Sequence, residues 1–155
     1  MTGTVEEKWE EARARLERLM VRLPEMEQDQ LTLRNSSIAW KISHHESARC
    51  SAWELAGQLE QRLSYMSADD PSRAGFAKEL EHQRSVMERE ARLVSELLAE
   101  GGFANETQSR KARLDADKAQ ALTEKVTSFV ERYQTTLERC QELDELLDNQ
   151  TERVM

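Results

Sequence analysis

The sequence predicts an elongated all-α fold of long helices, and three observations carry that expectation. Ala, Glu, Lys, Leu and Arg supply about half of the 155 residues, the bias of coiled coils and long helical bundles. Only 5 Gly and 2 Pro interrupt the chain, too few for the many turns of a sandwich or barrel. Apolar residues recur at alternating steps of three and four over long stretches, which sets a narrow stripe along one side of a helix. With 34% charged and 38% hydrophobic residues, the core is expected to be a seam.

The first segment, about Val5 to Leu33, keeps this rhythm through Val5, Trp9, Ala12, Leu16, Leu19, Leu23, Met26, Gln30 and Leu33. Pro24 lies beside the stripe and removes one backbone hydrogen bond, so a break or bend is expected near Leu23-Pro24. The second segment, about Ser37 to Met66, carries an apolar face of Trp53, Leu55, Leu59, Leu63 and Met66. Its beginning, Asn35 to Ser51, is rich in Ser, His and β-branched residues of poor helix propensity. That stretch is either part of a long helix held by packing or contains a join. Ser67-Ala68-Asp69-Asp70-Pro71 reads as a loop followed by a helix start, with an acidic cap and Pro at the first helical position.

The third segment then runs from about Pro71 to Glu100, with a stripe of Phe76, Leu80, Gln83, Met87, Glu90, Val94 and Leu97. Gly101-Gly102 is expected to stop it, because glycine enters left-handed geometry at low steric cost. The fourth segment, about Gln108 to Gln150, has the clearest pattern. Ala119, Leu122, Val126, Phe129, Tyr133, Thr136, Cys140, Leu143 and Leu147 alternate by three and four, with only Thr136 polar. At about 1.5 Å per residue, about 40 residues make a rod of roughly 60 Å that asks for partner helices at a shallow crossing angle.

Laying the first segment over the last aligns Val5-Glu6-Glu7-Lys8-Trp9 with Phe129-Val130-Glu131-Arg132-Tyr133, and Leu16, Leu19 and Leu23 with Cys140, Leu143 and Leu147. Such an internal echo is typical of tandem arrays. In these features the sequence resembles the spectrin-repeat family. Arg132-Tyr133 and Lys8-Trp9 sit where the family's third helix carries a basic residue and Trp. Trp40 or Trp53 would be its first-helix Trp. Glu79-Leu80-Glu81-His82-Gln83 and Val94 to Gly101 resemble parts of its second helix. The resemblance implies an elongated antiparallel three-helix bundle repeat over residues 35–155, with residues 1–34 an additional long helix, of a preceding repeat or connecting.

Charge and chemistry narrow the function classes. A net charge of −8 works against nucleic acid or an anionic membrane as main partner, since both want a basic face. No apolar run reaches the length of a spanning helix, and the N-terminus has no apolar signal region. Cys50 and Cys140 lie far apart, which favours a reduced, cytoplasmic setting. Asn35-Ser36-Ser37, Asn105-Glu106-Thr107 and Asn149-Gln150-Thr151 match the glycosylation triplet and are read as chance matches.

Trp9, Trp40, Trp53, Phe76, Phe129 and Tyr133 are assigned to core packing rather than to an aromatic ligand box. His44, His45, Glu46 and Cys50 are the one conceivable metal cluster, but their spacing does not put ligands on a single helical face. His82 is expected on the bundle surface, bonded to a neighbouring helix, and Cys140 in the core as a small hydrophobe. The Arg-rich runs around Arg13–Arg22 and Arg84–Arg92 interleave with Glu and read as solvated faces with i,i+3 and i,i+4 pairs, such as Glu11 with Arg15.

The expectation is therefore a non-enzymatic module with no catalytic, cofactor or metal residues. The resemblance implies a scaffold unit of a larger cytoskeletal linker, with termini at opposite ends. Such a unit acts as spacer, tension-bearing element and docking surface for cytoskeletal, junctional or nuclear-envelope proteins and for adjacent repeats, and is a monomer when isolated. The alternatives are a self-associating coiled-coil adaptor and a four-helix bundle holding a metal or cofactor.

Overall fold

The computed structural model describes residues 3–154, and every regular element in them is helical: α1 Val5–Val21, α2 Leu23–Tyr65, α3 Arg73–Gly101, α4 Glu106–Lys111 and α5 Ala116–Val154. The all-α expectation holds, with five helices where the sequence reading separates four segments. Each boundary has a local cause. Thr4 caps α1 in a capping box, its hydroxyl accepting from the Glu7 N–H at 3.2 Å while Glu7 Oε2 accepts from the Thr4 N–H at 3.3 Å. The interruption foreseen near Pro24 is confined to Arg22, whose N–H turns to the Leu19 carbonyl at 3.0 Å. Pro24 then lies in the first turn of α2, where its missing N–H costs nothing.

Residues 35–51 are continuous helix within α2, so packing rather than propensity holds them. Arg73 closes the far end of α2, its Nη1 donating to the carbonyls of Leu63 and Met66 at 3.1 and 3.2 Å. Helix α3 begins at Arg73 rather than Pro71, because Asp70 accepts from the Ser72 N–H and hydroxyl and spends its carboxylate on a turn. The glycine stop is a Schellman motif. Gly102 adopts φ 69°, its N–H reaches Ala99 O, and the Phe103 N–H reaches Leu98 O at 2.9 Å. The expected single fourth segment is instead α4 and α5, separated by residues 112–115. Asp115 starts α5 by accepting from the Lys118 N–H at 2.8 Å.

The chain divides into two compact units, residues 1–33 with 114–155, and residues 34–113. In the first, α1 and the start of α2 lie antiparallel to α5. Ala12 and Leu16 are buried with Cys140 and Leu143, flanked by Val5, Trp9 and Tyr133. Met26 is buried with Val126 and Phe129, flanked by Leu19, Leu23 and Leu33. Every member of the α5 stripe, from Ala119 to Leu147, is at least half-buried, as its spacing predicts. Val5 and Trp9 therefore stand beside Leu143 and Asp144. This corrects the expectation of termini at opposite ends, because the first helix pairs with the last one inside a single unit.

In the second unit, Ile38 and Ile42 of α2 are buried against Val94 of α3, with Leu97, Leu98 and Phe103 around them. The α3 stripe also lies where its spacing places it, with Leu80, Glu90 and Val94 buried. The α2 face differs from the expected one. Small residues, Ala39, Ala52 and Ala56, are buried, and Leu59, Leu63 and Met66 are half-buried. Trp53 and Leu55 point outward, at 64% and 47% exposure. A one-position rotation of the helical face moves Ala52 inward and Trp53 out.

Candidate functional site

Two open grooves flank these seams. The first runs beside the α1–α5 seam, in two stretches of about 400 and 570 Å³. Its floor is Ala12, Leu19 and Thr136, and its walls carry Lys8, Arg15, Arg18 and Arg22 from one side and Arg132, Thr135 and Arg139 from the other. Lys8, Arg15, Arg22, Arg132 and Arg139 each follow a stripe residue by three positions, so helical periodicity puts them on the edge of the buried face, and Arg18 stands outside that spacing. Glu11 and Glu131 are the carboxylates among the lining groups. The expected Glu11–Arg15 pair forms at 3.1 Å, and Arg22 lies 3.7 Å from Glu25 and 5.5 Å from the Phe129 ring centre.

Below this groove an ion triad closes the same edge. Lys125 Nζ lies 2.7 Å from Glu25 Oε1 and 2.8 Å from Asp29 Oδ2. The hydrogen bond from Lys125, and then its charge, hold the Glu25 carboxyl below the ordinary range. Hydrogen bonds to Asp29 and to Glu25 hold the Lys125 ammonium above its ordinary value. Sequence inspection misses this triad. Its signal is register, since Asp29 follows Met26 and Lys125 precedes Val126, and those two residues meet in the seam.

The second groove lies between α2 and α3, with stretches of about 300 and 200 Å³. Trp53 and Met87 line both stretches, joined by Cys50 and Arg49 in one and by Gly57 and Arg84 in the other. Beside it a polar layer links three helices. His45 Nδ1 and Glu90 Oε2 are 2.5 Å apart, Arg49 reaches Glu106 at 3.4 Å, and Arg110 lies between Glu46 and Glu106 at 3.8 and 3.6 Å. Glu90 is only 7% exposed, so its charge-bearing group sits inside the seam. Its place on the α3 stripe is legible in the sequence, and its partner His45 is not.

The other singled-out side chains fall as follows. Phe129 and Cys140 are buried, as predicted. Trp9 and Tyr133 are half-buried; the Trp9 ring N–H donates to Asp144, and Tyr133 stacks on Phe129 with ring centres 6.1 Å apart. Phe76 is half-buried beneath Arg62. Trp40 and Trp53 are not core residues, a correction for both: Trp40 is 50% exposed with the Arg113 guanidinium 5.2 Å from its ring centre. His44 is exposed and edge-on to His45, Cys50 is exposed, and His82 is exposed. Among the described residues no three His, Cys, Asp or Glu side chains are grouped to hold a metal ion. No helix there is long and apolar enough to cross a membrane.

These arrangements define a class by form: paired helices with apolar seams and open grooves alongside. Comparison of the chain with protein-family models, curated proteins and solved structures gives no match.

Proposed function

We propose that the chain is a non-catalytic scaffold module of a larger linker protein, and that it works by docking other helical proteins along its helix faces. The observation that carries this reading is the division of labour around the seams. The periodic apolar side chains, from Val5 to Leu33 and from Ala119 to Leu147, are spent on pairing helix with helix, and the grooves beside them stay open. Cytoskeletal, junctional and nuclear-envelope proteins are the partner classes that the likeness to spectrin repeats brings to this reading. A spectrin-like three-helix arrangement belongs to it in the same sense, as the form a hairpin takes when a further helix lies in its groove.

Docking is put forward ahead of tension-bearing on a mechanical ground. Where Val5 and Trp9 lie beside Leu143 and Asp144, a load applied through those ends opens the hairpin contact by contact instead of shearing the whole seam at once. Sedimentation of the whole chain, alone and with purified actin filaments or microtubules, tests the reading. A monomer that pellets with filaments supports a cytoskeletal scaffold. An obligate dimer that unfolds on dilution replaces it with the self-associating adaptor, and failure to pellet with either filament removes the cytoskeletal element.

A further inference from the structure

We propose that the groove beside the α1–α5 seam receives an acidic, amphipathic helix from a partner protein. The proposal rests on the docking reading above and deepens it by giving the partner a chemistry.

Charge is the first argument. The chain carries a net charge of −8, yet six cations, Lys8, Arg15, Arg18, Arg22, Arg132 and Arg139, line this groove against two carboxylates. Arg15, Arg22 and Arg139 have carboxylate neighbours on their own segments, Glu11, Glu25 and Glu142. Lys8, Arg18 and Arg132 make no ion pair among the described residues.

Register is the second. Asp29 faces Lys125 across the seam at 2.8 Å, an opposite-charge pair at flanking positions. In antiparallel helices, one heptad back along the first arm of the hairpin is one heptad forward along α5. That step brings Arg22 opposite Arg132, and the next brings Arg15 opposite Arg139, which the shared lining of the two groove stretches bears out. Flanking positions in paired helices ordinarily carry opposite charges, and like charges there are destabilising. Two consecutive like-charge steps beside a third that is correctly paired form a local defect that anionic side chains laid between the rows would relieve.

Shape and floor are the third. From Lys8 to Arg22 the groove follows one helix for about 20 Å, or about four helical turns. Its floor of Ala12, Leu19 and Thr136 is uncharged, with Ala12 and Leu19 apolar. A polyphosphate would meet the rims and leave that floor bare. A helix with a leucine-type stripe and Glu on both flanks meets the floor with its stripe and each basic rim with one flank, as a third helix meets a pair.

The test uses the whole chain and three synthetic peptides of four to five heptads: one with Leu at the seam positions and Glu at both flanks, one scrambled at the same composition, and one with Lys at the flanks. The Glu-flanked peptide is expected to bind at least about tenfold more tightly than the scrambled one, and to weaken as salt rises. The double variant Arg18→Glu, Arg132→Glu is expected to lose that binding and to gain binding of the Lys-flanked peptide, a swap that misfolding cannot produce. Its melting temperature is expected to match or exceed that of the parent, since Arg132→Glu sets an opposite charge against Arg22 in that register.

Equal binding of the scrambled peptide, or competition by heparin or a short DNA duplex at equal affinity, would overturn the proposal in favour of a generic polyanion site. Dimerisation that disappears in the double variant would replace the partner with a second copy of this chain. Loss of the peptide result with filament binding intact sinks this inference alone, and leaves the scaffold reading standing.

Discussion

The two units bury their helices with different materials. The hairpin of α1 and the start of α2 with α5 uses large apolar side chains, Leu16, Met26, Phe129 and Leu143, and keeps its polar contacts on the edges, at Trp9–Asp144 and at Lys125 with Glu25 and Asp29. The α2–α3 unit gathers Ile38, Ile42 and Val94 at one place, relies on alanines at positions 39, 52 and 56 along the rest of α2, admits the Glu90 carboxylate into its seam, and buries Ser109 completely. Large residues on a strict three-four spacing define one helical face by themselves. Alanines define a face only once a partner helix is in place, because alanine serves equally well on a helix surface.

The sharpest way to break this comparison is to remove one large side chain from each unit. Phe129→Ala is expected to cost about 3–5 kcal/mol and Ile42→Ala about 2–5 kcal/mol, from lost burial and the cavity left behind. Trp53→Ala, by contrast, should stay within about 0.5 kcal/mol, because an exposed aromatic has little packing to lose. Chemical denaturation gives the three values, and hydrogen exchange shows which unit loosens. A large loss at Trp53 would restore it to the core and undo the assignment of Ala52 and Ala56 to the seam.

The same contrast explains what could be read in advance. The stripe from Ala119 to Leu147, the seam positions of Phe76 to Leu97 and the glycine stop were all legible, since each is a local pattern of residue size or backbone freedom. The exposure of Trp40 and Trp53 was not legible, because the neighbouring small residues that displace them carry no hydrophobic signal. The break at residues 112–115 was missed because it contains no Gly or Pro, although Asp115 offers a cap. The basic groove was half legible. Arg15, Arg18 and Arg22 stand out as a run, but their partners Arg132 and Arg139 join them only through antiparallel register.

The carboxylate in the smaller-residue seam makes a second break. His45→Ala leaves Glu90 buried with its closest partner gone, and is expected to cost about 1–3 kcal/mol. Glu90→Met removes the buried charge and fills the space, so its expected effect is neutral or stabilising. Thermal melts of the two variants check this. A Glu90→Met variant as damaged as His45→Ala would show that the pair holds the seam by attraction instead of merely compensating for burial.

Glycines sharpen the comparison with smaller effects of opposite sign. Gly102 sits at φ 69°, so Gly102→Ala is expected to cost about 1–2 kcal/mol by forcing a side chain into left-handed geometry. Gly57 lies in the middle of α2, where an added Cβ meets nothing within 4 Å. Gly57→Ala is expected to stabilise by about 0.5–1 kcal/mol, through reduced freedom of the unfolded chain and better helix propensity. Equilibrium unfolding that moved both variants in one direction would show that local backbone geometry does not set their sign.

The smallest effect concerns the ion triad on the edge of the hairpin. Glu25 has a folded-state carboxyl held low by Lys125, so its contribution is present above the ordinary carboxylate range and is lost as pH falls through the folded value. Lys125 is held high by Asp29 and Glu25, so its contribution is complete below the ordinary lysine range and fades as pH rises through the higher folded value. Both arms predict a plateau through neutral pH with losses in acid and in strong alkali. All three groups remain substantially or partly open to solvent, so added salt should flatten the profile. Lys125→Met is expected to remove the alkaline arm and shrink the acid one, seen as exchange protection of residues 23–33 against pH. An unchanged profile in that variant would mean the α5 hairpin is closed by its apolar stripe alone.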